Sequence, residues 1–228
     1  MKYQILLCDL DDTLFDFHRG EAIAISETLR AFGIPDTPEV VALYLEANAA
    51  QWKKLERGET TQQKLRVDRF TEFLKLAKLE GDADALSETY IDRLGRQRWP
   101  LPYAVQLMKR VSEKMPVFLV TNGISRIQRA RLNGCEIEPY VTGIIISEEL
   151  GVSKPDPRMV FEALAQAAVD DLSRAVLLGD SQTSDIAAAG NAGIDSILFT
   201  NGKDIPEGHK ATYAVKTLEE ACAVILQE

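Results

Sequence analysis

The stretch Ile5-Leu6-Leu7-Cys8-Asp9-Leu10-Asp11-Asp12-Thr13-Leu14 decides the fold class of this 228-residue chain. Its four leading apolar residues predict a short strand buried on both faces, as in a parallel sheet. The aspartates that follow this strand lie at its carboxyl end, which is the edge at which open α/β sheets bind ligands. In an extended chain, Asp9 and Asp11 point to the same side, where they repel each other unless a cation or a functional demand holds them. A turn or a helix N-cap is the alternative interpretation.

Short apolar runs of the same kind recur along the chain. Helix-length segments separate the last four runs, and strands that alternate with helices predict a doubly wound α/β layer with a parallel sheet. The predicted strands are Ile5–Cys8, Val117–Val120, Gly143–Ile146, Ala175–Leu178 and Ser196–Phe199, and the predicted helices are Ile124–Asn133, Pro157–Ala168 and Gln182–Ala192.

Residues 16–100 show a different pattern, in which apolar residues recur at helical spacing without any strand pattern. We interpret this segment as a helical bundle inserted after the first strand, entered through Phe15–Gly20 and left through Trp99-Pro100-Leu101-Pro102. The predicted domains are therefore a core of residues 1–15 and 101–228 and an insert of residues 16–100. The apolar stripes are Ala22, Ile25, Leu29 and Phe32; Val41, Tyr44, Leu45, Asn48 and Trp52; Val67, Phe70, Leu74 and Ala77; and Leu86, Tyr90 and Leu94.

The composition excludes several functional classes. With 26 basic and 35 acidic residues, the net charge of −9 argues against a broad surface for nucleic acid or an anionic membrane. No run approaches the roughly 18 apolar residues of a membrane-spanning helix. The aspartates that interrupt the apolar start argue against a secretory signal. Three widely spaced cysteines and two histidines form no metal-binding pattern, so we expect free thiols and a cytoplasmic protein.

Three later segments carry polar residues next to predicted strands. Thr121-Asn122-Gly123 opens a helix, so its hydroxyl and amides suit a phosphate cradle, with a simple N-cap and glycine turn as the alternative. Lys154 offers an ammonium for a transferring phosphoryl group, although most lone lysines are solvated. Gly179-Asp180 follows the fourth strand, with Asp185 about one helical turn further on. Capping by Asp180 is the alternative there.

Together the four motifs supply complementary parts of one site: a carboxylate nucleophile, a carboxylate acid/base, a phosphate cradle, a cation and further carboxylates. Hard oxygen ligands in this number suit Mg²⁺ and not zinc. The set resembles the four motifs of the haloacid dehalogenase-like (HAD) hydrolases. Asp9-Leu10-Asp11-Asp12-Thr13 resembles the first, Thr121 the second, Lys154 the third and Gly179-Asp180 through Asp185 the fourth.

This resemblance implies a Rossmann-like core with a helical cap, and it implies a role for each motif residue. Asp9 would attack phosphorus and become an aspartyl phosphate, while Asp11 would protonate the leaving oxygen and later deprotonate water. Mg²⁺ would be held by the Asp9 carboxylate, the Asp11 backbone carbonyl and Asp180, with Asp185 ordering the ion's waters. The implied phosphoryl-binding groups are Thr121, the amides of Asn122 and Gly123, and Lys154.

A finer resemblance points to the pyrimidine 5′-nucleotidase branch of this family. It rests on Thr121-Asn122-Gly123, residues 146–155, Ser184-Asp185-Ile186 with Gly190-Asn191-Ala192-Gly193, and, in the cap, Trp52, Gly58 and Arg69-Phe70. It implies deoxyuridine, uridine and thymidine monophosphates as substrates. We expect a cap loop near Arg57 to close over the site, with Phe17, His18 or Trp52 meeting the base. Ordinary packing or exposure is the alternative for these three side chains.

The same residues also bear on several alternative functions. Asp11 argues against dehalogenation, because halide leaves without a proton, whereas a phosphate ester needs an acid. A sugar-phosphate or acid-phosphate phosphatase is the nearest alternative, followed by a sugar phosphomutase and a non-catalytic binding module. The expected partner is a small phosphate ester, with no nucleic acid polymer and no membrane, and the expected state is a monomer or homodimer.

Overall fold

A six-stranded parallel sheet forms the centre of the protein. The computed structural model describes residues 1–228, except for the side chain of Glu56. The strands are β1 (Ile5–Cys8), β2 (Val117–Thr121), β3 (Gly143–Ile146), β4 (Ala175–Gly179), β5 (Asp195–Phe199) and β6 (Tyr213–Val215). Their order is β3-β2-β1-β4-β5-β6, and every neighbouring pair is parallel.

This strand order places a ligand-binding edge at the first motif. From the central β1 the chain winds outward through β2 and β3, then returns to the other side of β1 through β4, β5 and β6. Open α/β sheets bind ligands where the winding direction reverses, outside the carboxyl ends of the strands. The predicted doubly wound, Rossmann-like parallel sheet is confirmed, and the reversal lies beside β1.

Burial on both faces of the sheet explains why the strand sequences are continuous apolar runs. All four residues of β1 are buried, with Leu6 and Cys8 in the hydrophobic core on one face of the sheet and Ile5 and Leu7 in the core on the other. Because both faces are covered, no polar alternation marks these strands. The sequence patterns did not predict the short edge strand β6, which contributes only three residues.

Ten α-helices accompany the sheet. Side-chain oxygens of Thr37, Thr61, Asp82 and Thr217 each accept a backbone N–H of the first helical turn, which fixes four of the helix starts. The helices are α1 (Phe17–Ala31), α2 (Pro38–Glu56), α3 (Gln62–Ala77), α4 (Ala83–Leu94), α5 (Ala104–Ser112), α6 (Ser125–Leu132), α7 (Ser147–Leu150), α8 (Arg158–Gln166), α9 (Ala187–Ala192) and α10 (Leu218–Leu226). Within the part of the chain that the structure describes, none of these helices has both the length and the apolar character needed to cross a membrane.

The chain divides into two compact units by its internal contacts. The sheet unit comprises Met1–Phe17, Arg98–Gln128 and Leu132–Glu228, and the helical unit comprises His18–Gln97 with Arg129–Arg131. The proposal that the helical unit acts as a cap rests on the family resemblance.

The helical unit has a mixed aromatic and polar core. The rings of Tyr44 and Tyr90 lie 5.4 Å apart, and the Arg69 guanidinium lies 4.5 Å from the Tyr90 ring centroid. Buried Asn48 donates to Glu21 Oε1 at 2.9 Å. A paired carboxylate and a stacked guanidinium can be buried because each has a partner.

Three of the predicted apolar stripe positions are wrong. Ala22, Phe32 and Leu45 are exposed. On α1 the buried face instead includes Glu21, Ala24 and Thr28, because polar groups with partners occupy positions that periodicity assigns to solvent.

We expect Leu7→Ala to lower the free energy of unfolding by about 2–5 kcal/mol, because it opens a cavity in the fully buried central strand. Urea denaturation followed by circular dichroism measures the change. The control is Leu172→Ala, whose side chain is 37% exposed and should change stability by no more than about 0.5 kcal/mol. Equal effects of the two substitutions would contradict the central position of β1.

Candidate active site

The first motif begins where β1 ends and folds directly into a tight turn. The Asp9 N–H donates to the Leu178 carbonyl at 2.9 Å, which extends the pairing of β1 with β4 and fixes the buried Asp9 side chain at the sheet edge. Asp12, with a φ of +60°, donates its N–H to the Phe15 carbonyl, and its Oδ1 accepts the Phe17 N–H at 3.2 Å. Asp12 therefore stabilises the turn, and the chemical roles of Asp9 and Asp11 stay predictions.

A buried lysine connects three parts of this edge. Lys154 is 4% exposed, and its Nζ donates to Asp9 Oδ1 at 2.6 Å, to Asp185 Oδ1 at 2.7 Å and to the Val120 carbonyl at 2.6 Å. An ammonium group has three hydrogens, so each of these acceptors receives one. The solvated alternative for Lys154 is therefore wrong.

The backbone of Lys154 is held as firmly as its side chain. Asn122 Nδ2 donates to the Lys154 carbonyl at 3.0 Å, and Asn122 Oδ1 accepts the Lys154 N–H at 2.8 Å. This pair of bonds ties the loop after α7 to the end of β2. The side chain of Asn122 thus orients Lys154, a role the sequence did not predict.

The fourth motif contains a π-helical turn, Gln182–Ile186, that brings Asp185 back toward the sheet. Asp185 is buried, and its Oδ2 accepts the Ser181 N–H at 3.0 Å while its Oδ1 accepts from Lys154. A Cβ on Gly179 would lie 2.3 Å from Asp185 Cγ, so only glycine allows this approach. Asp180 is exposed at the end of β4.

Three carboxylates at this edge form a cluster suited to a metal ion. Oxygen atoms of Asp9, Asp180 and Asp185 all lie within 4.8 Å of one another. Their three negative charges exceed the single positive charge of Lys154 by two. An excess of two negative charges on hard oxygen ligands fits a divalent cation such as Mg²⁺.

The electrostatics of the cluster agree with this fit. Burial raises the pKa of the Asp9 carboxyl well above its usual range, and the Lys154 ammonium only partly opposes the shift. Although part of Asp180 is exposed, partial desolvation of its carboxyl group and the neighbouring charges of Asp185 and Asp12 raise its pKa to about 7. Burial lowers the pKa of Lys154, but the contacts with Asp185 and Asp9 outweigh it and raise the pKa overall, so the lysine is cationic. A further positive charge would stabilise the ionised form of both carboxylates.

The predicted phosphate cradle lies at the end of β2. Thr121 is buried, and its Oγ1 accepts the Gly123 N–H at 3.2 Å. The structure places Thr121, Asn122 and Gly123 in the same sheet unit as Asp9 and Lys154. Their contacts with a phosphoryl group stay predictions.

The predicted substrate-binding residues belong to α1 and α2. Phe17 begins α1 in the sheet unit and is half-buried, while the adjacent His18 is exposed. Trp52 is half-buried on α2. Arg57, the first residue after α2, is exposed, and its Nε donates to Glu59 Oε1 at 2.5 Å. Recognition of a base by these residues stays a prediction.

Sequence reasoning missed Gln128, whose Nε2 donates to Asp11 Oδ2 at 2.6 Å and to Thr121 Oγ1 at 3.1 Å. The sequence did contain a clue to its burial, because Gln128 lies at helical spacing from the apolar residues Ile124 and Ile127. The structure shows that Ile124, Ile127, Gln128 and Arg131 are all buried on this face of the helix. A glutamine in that pattern lies toward the sheet and not toward solvent.

Comparisons with known proteins bear on this site. A family model described as haloacid dehalogenase-like hydrolase matches residues 3–193. The pyrimidine 5′-nucleotidase PynA of Streptococcus pneumoniae is 34% identical over 200 residues, which cover 87% of this chain and 84% of that protein. The pyrimidine 5′-nucleotidase YjjG of Escherichia coli is 30% identical over 221 residues, which cover 96% of each.

A solved structure matches the fold over nearly the whole length. The crystal structure of the HAD-hydrolase YfnB from Bacillus subtilis, bound to magnesium, superposes with a TM-score of 0.90 at 28% identity and covers 99% of this chain and 100% of that one. The fold, the clustered motif residues and the match over residues 3–193 agree, and the chain is a hydrolase that belongs to the haloacid dehalogenase-like family.

Proposed function

We propose that this hydrolase is a Mg²⁺-dependent phosphomonoesterase that works through an aspartyl phosphate on Asp9, and that its substrates are pyrimidine nucleoside 5′-monophosphates. The observation that carries the proposal is the position of Asp9. Its buried carboxylate is hydrogen-bonded by Lys154 at the sheet edge, next to two further carboxylates and the polar end of β2.

In the first step, a carboxylate oxygen of Asp9 attacks phosphorus, and the bond between phosphorus and the ester oxygen breaks. Asp11 gives its proton to the departing alkoxide, which leaves as an alcohol. The product on the enzyme is an acyl phosphate of Asp9. Dividing hydrolysis into two displacements replaces one difficult step by two easier ones.

In the second step, Asp11 takes a proton from a water molecule as that water attacks the aspartyl phosphate. Phosphate leaves, and the Asp9 carboxylate is restored, so atoms and charges return to their starting state. Asp11 suits both steps because Gln128 Nε2 donates to its Oδ2 at 2.6 Å, which holds the carboxyl group at this edge of the sheet.

Positive charge near phosphorus is the other requirement of phosphoryl transfer. The Asp9 carboxylate, the Asp11 carbonyl and Asp180 would hold Mg²⁺, with Asp185 ordering the ion's waters, and the ion would supply charge neutralisation when bound. Lys154 adds a fixed positive charge, and Asn122 keeps that charge in position through the two bonds to the lysine backbone. Thr121 donates its hydroxyl hydrogen to a phosphoryl oxygen.

The substrate class rests on the relatives and on the cap residues. PynA and YjjG, which are both named pyrimidine 5′-nucleotidases, are 34% and 30% identical to this chain over most of their length. The core motifs contact only the phosphate, the metal and the ester oxygen. Selection of a pyrimidine base therefore falls to other residues, for which we propose Phe17, His18, Trp52 and Arg57.

Release of inorganic phosphate from a panel of phosphate esters tests the function. We expect release from p-nitrophenyl phosphate with Mg²⁺, loss with EDTA and recovery when Mg²⁺ is restored. Among metabolites we expect the highest kcat/KM for deoxyuridine, uridine and thymidine monophosphates. Higher values for sugar or acid phosphates would replace the nucleotidase assignment, and no release with any divalent metal would favour a binding module.

We expect Asp9→Asn to reduce turnover below detection, because a neutral amide cannot act as the nucleophile. Circular dichroism should show an intact fold. The control Asp68→Asn changes an exposed aspartate on α3 and should retain full activity. Normal turnover by Asp9→Asn would refute the nucleophile assignment.

We expect Trp52→Ala to lower kcat/KM for pyrimidine monophosphates roughly 5- to 150-fold, the loss of one aromatic stacking partner. Activity on p-nitrophenyl phosphate should fall far less. The ratio of the two activities is the measurement, because it cancels any general loss of folded enzyme. An unchanged ratio, also for Phe17→Ala, would mean that these aromatics do not contact the base.

A further inference from the structure

Gln128 is a buried polar residue that lies beside two groups of the proposed mechanism. It is 1% exposed on α6. Its Nε2 carries two hydrogens and donates to Asp11 Oδ2 at 2.6 Å and to Thr121 Oγ1 at 3.1 Å. One amide nitrogen therefore joins the group assigned to proton exchange with the group assigned to phosphate binding.

The contact with Thr121 directs the threonine hydroxyl hydrogen. Thr121 Oγ1 accepts hydrogen bonds from the Gly123 N–H at 3.2 Å and from Gln128 at 3.1 Å. A hydroxyl oxygen has two lone pairs, and these two donors occupy both. The hydroxyl hydrogen of Thr121 must then point away from both donors. In that orientation it can be donated to a phosphoryl oxygen.

The contact with Asp11 orients the carboxyl group in the same way. The amide hydrogen engages Asp11 Oδ2, and the same nitrogen donates to Thr121 Oγ1, so the carboxyl group is held close to the threonine hydroxyl. Misplacement of an acid by even about 1 Å lowers the rate of a proton transfer strongly. A group that fixes both Asp11 and Thr121 fixes the distance between the acid and the phosphate.

The backbone at Gly123 leaves space for the side chain of Gln128. A Cβ on Gly123 would lie 1.9 Å from Gln128 Nε2 and 2.6 Å from its Cδ. Any side chain at position 123 would therefore displace the glutamine. The glycine of the phosphate loop gives room to the Gln128 amide as well as to the turn.

We propose that Gln128 is a positioning residue that couples protonation of the leaving group to phosphate binding by holding Asp11 and Thr121 in one arrangement. This inference rests on the proposed function. It assigns no contact between Gln128 and the substrate itself. Its distinguishing consequence is a dependence on the leaving group, because esters of weakly acidic alcohols need the proton from Asp11 and nitrophenyl esters scarcely do.

The test measures kcat/KM for a series of phosphate monoesters that runs from p-nitrophenyl through phenyl to an alkyl ester. Gln128→Met keeps the length of the side chain and removes the donor, and Gln128→Glu keeps its shape. We expect both variants to lose at least about 10-fold on the alkyl ester, out of the 10²–10⁴-fold that an acid supplies, and only a few-fold on p-nitrophenyl phosphate. Ile127→Val, a buried neighbour on α6, is the control and should leave the ratio unchanged.

Each outcome decides the inference. A selective loss on esters with poor leaving groups, in folded variants, supports the positioning role. Equal losses on all esters, or no loss, would overturn it and assign Gln128 to packing alone. If the wild-type protein releases phosphate from none of the esters, the proposed function fails first and the inference fails with it. Activity of the wild type therefore separates the two failures.

Discussion

The buried ammonium of Lys154 is the interaction on which the rest of the site depends. A cation inside a protein is tolerated only when it is paired and hydrogen-bonded, and Lys154 meets this condition with two carboxylates and one carbonyl. These partners come from the end of β1, the end of β2 and the π-helical turn after β4. The same three bonds that stabilise the charge therefore bring three separate motifs to one edge of the sheet.

Charge balance at this edge links structure to chemistry. When ionised, Asp9, Asp180 and Asp185 bring three negative charges against the single positive charge of Lys154, and burial raises the pKa of Asp9. On the proposed function, a divalent cation would neutralise this excess, so that an incoming phosphate would no longer face a net negative charge. Binding of such an ion would offset the repulsion among the three carboxylates. On this account, the residues that build the metal site and those that activate the nucleophile are one set.

The sequence predicted the parts of the fold that local pattern determines. Strands β1 to β5 followed from apolar runs, and the clustering of Asp9, Thr121, Lys154 and Asp180 followed from the rule that strand ends meet at one edge. Partners distant in sequence could not be predicted in this way. Glu21, Arg69 and Gln128 are buried because of groups contributed by other segments, and periodicity alone assigns such polar residues to solvent. The strand β6 was missed because three residues form no pattern.

The covalent step is the central claim, and direct detection of the intermediate tests it. The enzyme is mixed with saturating p-nitrophenyl phosphate and Mg²⁺, quenched in acid within the first turnovers, and digested for peptide mass spectrometry. The account predicts that the peptide containing Asp9 gains the mass of one phosphoryl group, that fragmentation places the group on Asp9, and that hydroxylamine removes it as expected for an acyl phosphate. Turnover without a phosphorylated peptide, or a phosphoryl group on another side chain, would contradict the account.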